Sequence, residues 1–409
     1  MLQTVELPSK ALRDYGSLVG DEVIEEIQGL AQGLQGARVL HLSATAYGGG
    51  VAELLYTLVP LMRDAGLEAE WQVMMAEQEF FTVTKALHNT LQGMSIELTK
   101  EMVDIYLRNN ERNAALLELD HDFVVIHDPQ PAAILHFHGR AKEEKWIWRC
   151  HIDTSTPNHR GWKLLKAYVE PYDAAVFHLA RYAGDLKFER LAVIPPSIDP
   201  LSDKNRPLSL EESRQILARF GIDTDRPLMT QVSRFDPWKD PLGVIDAYRL
   251  VKAVRPEVQL ALVGAMALDD PEGIHFYART LRHAGEDFDI HILSNLDGVG
   301  NLEVNAFQNV SDVIIQKSTR EGFGLVVTEA LWKGKPVIGG NVGGIPLQVI
   351  DGETGFLVAS VQDCAQKALY LLDHREEAKG MGTRAKEHVR RHFLCTRHLK
   401  DYLELFATL

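Results

Sequence analysis

Residues 317–335, KSTREGFGLVVTEALWKGK, decide how this chain is read. A carboxylate, Glu321, follows an apolar strand at 313–316. The turn Gly322-Phe323-Gly324 comes next, where glycine lets the backbone bend sharply and approach a ligand closely. From Leu325 to Trp332 the residues suit a helix, stopped at Gly334 and followed by Lys335-Pro336. Such a strand, turn and helix aims free backbone N–H groups and the positive end of a helix dipole at one point, which suits a phosphate. A carboxylate in that turn is better suited to the hydroxyls of a sugar attached to the phosphate. Glu329, one turn into the helix, can accept hydrogen bonds from a second diol such as a ribose. Taken alone, the spacing also describes a capped surface helix with two solvated glutamates.

Outward from this unit, short β-branched apolar runs alternate with helical patterns, the signature of α/β units with parallel sheets. In the first half, strands are expected at 37–43, 69–74, 123–127, 146–151, 174–178 and 192–195, with helices between them, notably at 50–65 and 99–117. The proline-rich segment 195–207, PPSIDPLSDKNRP, reads as a linker. After a short helix at 210–220 the pattern restarts, with strands at 228–233, 259–263, 290–293, 313–316, 336–338 and 356–358. Two doubly wound halves follow: an N-terminal Rossmann-like domain at 1–205 and a C-terminal one at 206–385. The segment 362–409 is expected to form two helices, the last, 386–409, returning toward the N-terminal domain. In open α/β sheets ligands sit beyond the carboxyl ends of strands, so residues just after strands carry the information.

The bulk properties narrow the function. With 409 residues, 45% hydrophobic and 24% charged, the chain has material for two globular cores. A formal charge of −14 argues against nonspecific nucleic-acid binding or attachment to an anionic membrane. An anionic ligand must then be met by local cations. Three widely spaced cysteines, without a C-x-x-C pattern, imply a reducing compartment. The N-terminus lacks the pattern of a signal peptide, and no run of 18 apolar residues occurs, so a cytoplasmic location is expected.

Several clusters could carry chemistry. ATAYGGGVAELL places Gly48, Gly49 and Gly50 at a strand-to-helix turn, an anion site or simply a turn needing positive φ; it is not the dinucleotide pattern. SRFDPWKD holds Arg234 and Lys239, which could bind a diphosphate as a planar fork and a point charge. The same two residues could be surface cations flanking a turn. His127 and His151 each follow a strand and could meet sugar hydroxyls, although a given one of 16 histidines is more often structural. Asp223/Asp225 and Asp287/Asp289 match a D-x-D pattern but lie before strands, so no metal site is read there. No G-x-S-x-G elbow occurs. Glu321 and Glu329 share one turn-helix unit and cannot flank a glycosidic bond as a glycosidase requires.

The glycine run, SRFDPWK, and EGFGLVVTEALWKGKPVI with its following GGIP and DGETGFLV resemble the retaining nucleotide-sugar glycosyltransferases of the GT-B type over nearly the whole chain. The segments VVIHDPQPAA, WIWRCHIDTSTPN, IPPSIDPLS, VSRFDPWKDPLGVIDAY, LVGAMALDDPEG and NLDGVGNLEVNAFQ are more specific. They look like the group of trehalose synthases (glycosyl-transferring) and retaining trehalose phosphorylases. The resemblance implies two Rossmann-like domains facing across a cleft. It implies transfer of glucose from a nucleoside-diphosphate glucose, such as UDP- or ADP-glucose, to glucose, giving α,α-trehalose reversibly.

The same resemblance assigns roles. Arg234 and Lys239 would hold the diphosphate, Glu321 the donor sugar and Glu329 the ribose. Gly322, Phe323, Gly324 and Leu325 would meet the donor through their backbone, Gly49 and Gly50 would close over it, and His151 would contact the sugar near the reacting carbon. His127 and Asp153 are carried as acceptor-side candidates. No cofactor is required, although Mg2+ could accompany the nucleotide, and a homodimer is allowed. Partners are small molecules: the sugar nucleotide, glucose and trehalose. Where many relatives have G-G-I-P-E, this chain has Leu347, which receives no role. Two rival readings are phosphorolysis of trehalose and a nucleotide-sugar-binding protein without turnover.

Overall fold

The computed structural model describes residues 2–47, 49–140, 143–266 and 271–409. Gly48, and residues 267–270 within the LVGAMALDDPEG segment, lie outside the described residues. The chain divides into two compact units, Met1–Ser197 with Cys395–Leu409, and Ile198–Leu394.

In the first unit the strands are β1 (Gln3–Thr4), β2 (Arg38–Ser43), β3 (Glu68–Val73), β4 (Phe123–His127), β5 (Lys145–Arg149), β6 (Ala174–Phe177) and β7 (Arg190–Val193). They form one sheet in the order β1-β3-β2-β4-β5-β6-β7. All neighbours are parallel except β1, which pairs antiparallel with β3. The two-residue β1 carries no apolar run and was not among the expected strands. The second unit contributes β8 (Leu228–Val232), β9 (Gln259–Gly264), β10 (Ile290–Ser294), β11 (Val313–Gln316), β12 (Val337–Gly340) and β13 (Gly355–Val358). These form a wholly parallel sheet in the order β10-β9-β8-β11-β12-β13.

Leaving out the short edge strand β1, both orders reverse direction once, between β2 and β4 in the first sheet and between β8 and β11 in the second. Loops leaving the two strands at such a reversal separate to opposite faces, and the crevice they leave at the carboxyl ends is where α/β sheets bind ligands. The loops after β2, β8 and β11 carry Gly49, Lys239 and Glu321, and β4 ends on His127.

Packing in the first unit is asymmetric. Leu40, Leu42, Val124, Ile126, Trp146, Trp148, Cys150, Ala175 and Phe177 alternate along their strands to one face and join a single buried apolar cluster. The opposite face carries the helix Cys395–Phe406, with the Phe123 and Phe406 rings stacked at 4.4 Å. The 362–409 region forms three helices, Val361–Asp373, Arg375–His392 and Cys395–Phe406, where two were expected. Ser360 caps the first through the Asp363 N–H, and the chain leaves helical geometry at His374 and Phe393. In the second unit both faces of the sheet are apolar, one built around Ile245, Tyr248 and Leu260, the other around Leu217, Ala261 and Phe307.

Candidate active site

The second unit brings Lys239 and Glu321 together from 82 positions apart. After β8 the chain makes a tight turn, Pro237–Lys239, in which the Asp236 carboxylate accepts hydrogen bonds from the Trp238 and Lys239 backbone N–H groups at 2.9 and 3.2 Å. Asp240 then adopts a left-handed conformation (φ 50°) and caps the helix Pro241–Lys252 by accepting from the Gly243 N–H. Pro241 at the first helical position has no N–H to leave unsatisfied there. Gln231, at the end of β8, donates to the Lys239 carbonyl at 2.7 Å. Held in this way, the Lys239 ammonium lies 2.5 Å from the Glu321 carboxylate.

The Glu321 loop is bound to its neighbours at several points. The Thr319 N–H donates to the Trp238 carbonyl at 2.8 Å, Lys317 pairs with Asp240, and the Arg320 guanidinium lies over the Trp238 ring. Ser318 donates to the Glu321 carboxylate at 3.3 Å, and Gln316 reaches it at 3.5 Å. The loop after β12 packs directly beneath. The Gly344 N–H donates to the Gly322 carbonyl at 3.0 Å, and Gln348 donates to the Phe323 carbonyl at 2.6 Å. A Cβ on Gly343 would stand 1.6 Å from the Glu321 carbonyl oxygen, so only glycine fits that approach. Phe323 is buried against Phe393. Gly324, at φ 83°, opens the helix Leu325–Trp332, whose first turn has no side-chain cap.

Glu329 points inward from that helix. It lies 3.4 Å from the Lys204 ammonium and 3.3 Å from the Gln308 amide. Lys333, in the next turn, donates to the Lys204 carbonyl at 2.8 Å, and burial pulls its ammonium down to about 7. Glu321 and Glu329 are only 8% and 1% exposed, so the alternative of two solvated glutamates on a surface helix does not hold. Arg234 stands apart: its side chain is 70% exposed and held to Asp236 at 3.1 Å, and the buried pair forms without it. Of the D-x-D residues, Asp287 and Asp289 pair with Lys252.

The first unit presents a different arrangement. On the sheet face beneath the helix Cys395–Phe406, strand register aligns His41, His127, Arg149, His151 and His178 along the carboxyl ends of β2, β4, β5 and β6. His41 Nδ1 lies 3.0 Å from His127 Nε2, and His127 Nδ1 lies 3.0 Å from His151 Nε2. Burial lowers the basicity of all three: His41 falls to about 3, and His127 and His151 drop well below the usual imidazole range, helped by the nearby Arg149 charge. The rings are therefore neutral. Asp128 adopts φ 67° and accepts the His151 backbone N–H at 2.7 Å; burial raises its carboxyl to about 7. Asp153 is buried and accepts from the Ser155 N–H at 3.0 Å, closing a turn just beyond His151. Gly49, at φ 84°, precedes the helix Gly50–Asp64, whose first turn also lacks a side-chain cap.

Sequence reasoning missed His41, Arg149 and His178 in the first unit, and Lys204, Gln308, Gln316, Ser318, Gly343 and Gln348 in the second. The first group left a signal: β2, β4, β5 and β6 each carry a histidine or arginine within two residues of their carboxyl end. In the second group Lys204, Gln308, Gly343 and Gln348 act through neighbours distant in sequence, while Gln316 and Ser318 lie three to five positions from Glu321 but read singly as ordinary polar residues.

Comparison with known proteins bears on the family and the fold. Residues 41–184 match the family model for the trehalose synthase N-terminal domain, and residues 212–388 that for glycosyl transferases group 1. The trehalose synthase of Rubrobacter xylanophilus is 54% identical over 414 residues, covering 100% of this chain and 99% of that one. A trehalose phosphorylase of Pleurotus pulmonarius is 29% identical, over 85% of this chain and 54% of its own. Among solved structures, the α,α-trehalose-phosphate synthase (UDP-forming) of Burkholderia xenovorans, in complex with glucose-6-phosphate, superimposes with a TM-score of 0.72 at 14% identity. It matches over 91% of this chain and 100% of that one. That likeness shows the fold, GT-B, built of two Rossmann-like units.

Proposed function

The chain belongs to the trehalose synthase family of glycosyltransferases, and from that premise we propose that it moves glucose from a nucleoside-diphosphate glucose to free glucose with retention, forming α,α-trehalose reversibly. It is a glycosyltransferase that makes trehalose. The observation that carries the finer reading is the buried Lys239–Glu321 pair where the second sheet reverses. A carboxylate and an ammonium at one point, next to an uncapped helix start, match a ligand that carries hydroxyls beside phosphate.

Breaking the glycosidic bond leaves negative charge on the departing diphosphate. Donors already fixed where that charge grows lower the barrier more than groups that bind substrate and transition state alike. Lys239, Arg234 swinging from its exposed position, and the backbone around Gly322, Phe323, Gly324 and Leu325 are assigned to the diphosphate. Glu321 orients the hexose, Glu329 the ribose, and His151 the sugar near the reacting carbon. Gly49 and Gly50 are assigned to closure over the donor, and His127 and Asp153 to the acceptor. The acceptor hydroxyl gives its proton to a leaving phosphate oxygen, so no protein nucleophile is needed. Any Mg2+ enters as the nucleotide's counterion. The three cysteines are buried, and a cytoplasmic location is part of this reading. No helix among the described residues is long and apolar enough to cross a membrane.

Phosphorolysis is the second reading, since a phosphate pocket serves both reactions; the phosphorylase relatives match this chain at lower identity and over about half their length. The test is direct. The enzyme is mixed with glucose and a panel of nucleoside-diphosphate glucoses, and separately with trehalose plus UDP, ADP or inorganic phosphate. α,α-Trehalose from at least one donor, and nucleotide-dependent breakdown, are expected. Glucose 1-phosphate formed only with inorganic phosphate would overturn the synthase reading.

A further inference from the structure

We propose that His41 and His127 are positioning residues that hold His151 as a hydrogen-bond donor through Nδ1. The proposal rests on the reading of His151 as the sugar-facing histidine. It concerns which of two proton arrangements the buried row adopts.

Each of the two ring-to-ring contacts, His41–His127 and His127–His151, measures 3.0 Å and holds one proton. A neutral imidazole has one N–H and one bare nitrogen. Whichever contact takes the His127 proton, the other must draw its proton from the neighbouring ring. Only two arrangements satisfy both contacts. In one, all three rings are protonated on Nδ1; in the other, all three are protonated on Nε2. Mixed states would need His127 to be an anion or a cation in a buried site next to Arg149.

The two ends of the row are unequal. His151 is partly buried, and its Nδ1 is not among the buried atoms that lack a partner, so that end tolerates either state. His41 Nε2 is fully buried and has no hydrogen-bond partner among the described residues. In the second arrangement it would be a buried N–H without an acceptor, which native structures rarely contain. Acceptors are scarce on this face: among the described residues the three Arg149 guanidinium nitrogens, all donors, are also without partners. The inner end therefore selects protonation on Nδ1 throughout, and the row delivers an N–H, not a base, at His151.

The test uses the full-length, substrate-free protein with ring-15N histidine, the His151 signals being assigned by their loss in His151→Gln. A protonated Nδ1 and a bare Nε2 are expected; a protonated Nε2, or protons on both, would overturn the proposal. Two substitutions supply a functional readout. His41→Asn can still donate to His127, whereas the carboxylate of His41→Asp only accepts and forces the opposite order. His41→Asn should retain most of kcat. His41→Asp should lose about 10²-fold in kcat, the scale of a lost transition-state donor, with donor KM little changed and the His151 proton moved to Nε2. Equal losses in the two variants would refute directional control. If His41→Asp does not fold, the wild-type spectrum decides alone. Unchanged turnover in His151→Gln would remove the sugar contact and leave the proton arrangement standing.

Discussion

Replacing Gly343 by alanine tests whether the position of Glu321 governs turnover. Gly343 has φ 57°, and its added Cβ would lie 1.6 Å from the Glu321 carbonyl oxygen, against a floor of 3.0 Å for real contacts. One of the two loops must therefore move by about 1.4 Å. The β12 loop has little freedom, since the Gly344 N–H is bonded to Gly322 and Gln348 to Phe323. Much of the displacement falls on Glu321 and on its contact with Lys239. A misplacement of about 1 Å at a reacting centre can cost about 10²-fold in rate. Strain must be separated from displacement, because alanine in left-handed geometry costs about 1–2 kcal/mol anywhere. Gly221→Ala is the control: φ is 75° there and nothing lies within 4 Å of the new Cβ. Both variants should melt at lower temperature than the parent. Initial rates of trehalose formation should fall about 10²-fold in Gly343→Ala and stay near the parent in Gly221→Ala. Turnover in Gly343→Ala within about threefold of the control, despite a lowered melting temperature, would refute the reasoning.

Three further substitutions probe the same account. Lys239→Ala should lower turnover by about 10²–10³-fold and also destabilise the fold by about 3 kcal/mol, because it leaves Glu321 buried without its cation. Chemical denaturation and steady-state rates report the two effects separately. Arg234→Ala should lower turnover by a similar 10²–10³-fold, roughly, with no change in melting, since the exposed side chain is tied, among the described residues, to Asp236 alone. Unaltered rates would take Arg234 out of the diphosphate site. Asp128→Asn tests the raised carboxyl. With a folded value near 7 and an unfolded value near 4, the folded state binds its proton first as pH falls, so wild-type stability declines as pH rises from about 4 to about 7. Asparagine tolerates positive φ and can still accept the His151 N–H, without the charge. The variant should exceed the parent at pH 8 by about 1–3 kcal/mol, discounted for partial exposure, and the gap should close toward pH 4. A gap of equal size at both ends, measured by urea unfolding, would contradict the assignment.

What the sequence reveals depends on how local each feature is. The helix Leu325–Trp332 could be bounded from sequence because Gly324 and Gly334 stand at its two ends. The parallel strands were legible as buried β-branched runs flanked by turns. The two-residue β1 was not, because its existence depends on the edge offered by β3. The third C-terminal helix was hidden for a similar reason: the breaks at His374 and Phe393 carry neither glycine nor proline, and Phe393 is buried against Phe323 and His388.

The site separates along the same line. Glu321 and Lys239 could each be nominated from the turn that holds it, but their contact follows from β11 lying beside β8, an adjacency that skips β9 and β10. The histidine row is the stronger case. Read singly, His41, His127 and Arg149 are polar residues in otherwise apolar strands, which is what a satisfied structural residue looks like. Register converts them into one row: His127 is paired with Arg149, and His41 with Val125 one step below. Alternation does the rest, since the same strands send Leu40, Ile126 and Trp148 to the opposite face, into the buried apolar cluster. A polar row at the carboxyl ends of adjacent parallel strands, under a helix that itself brings His398 and Arg397, carries a desolvation cost that packing alone does not offset. The fold keeps that row where α/β sheets bind ligands, and this is the physical reason to look for its function in the orientation of protons and not in stability.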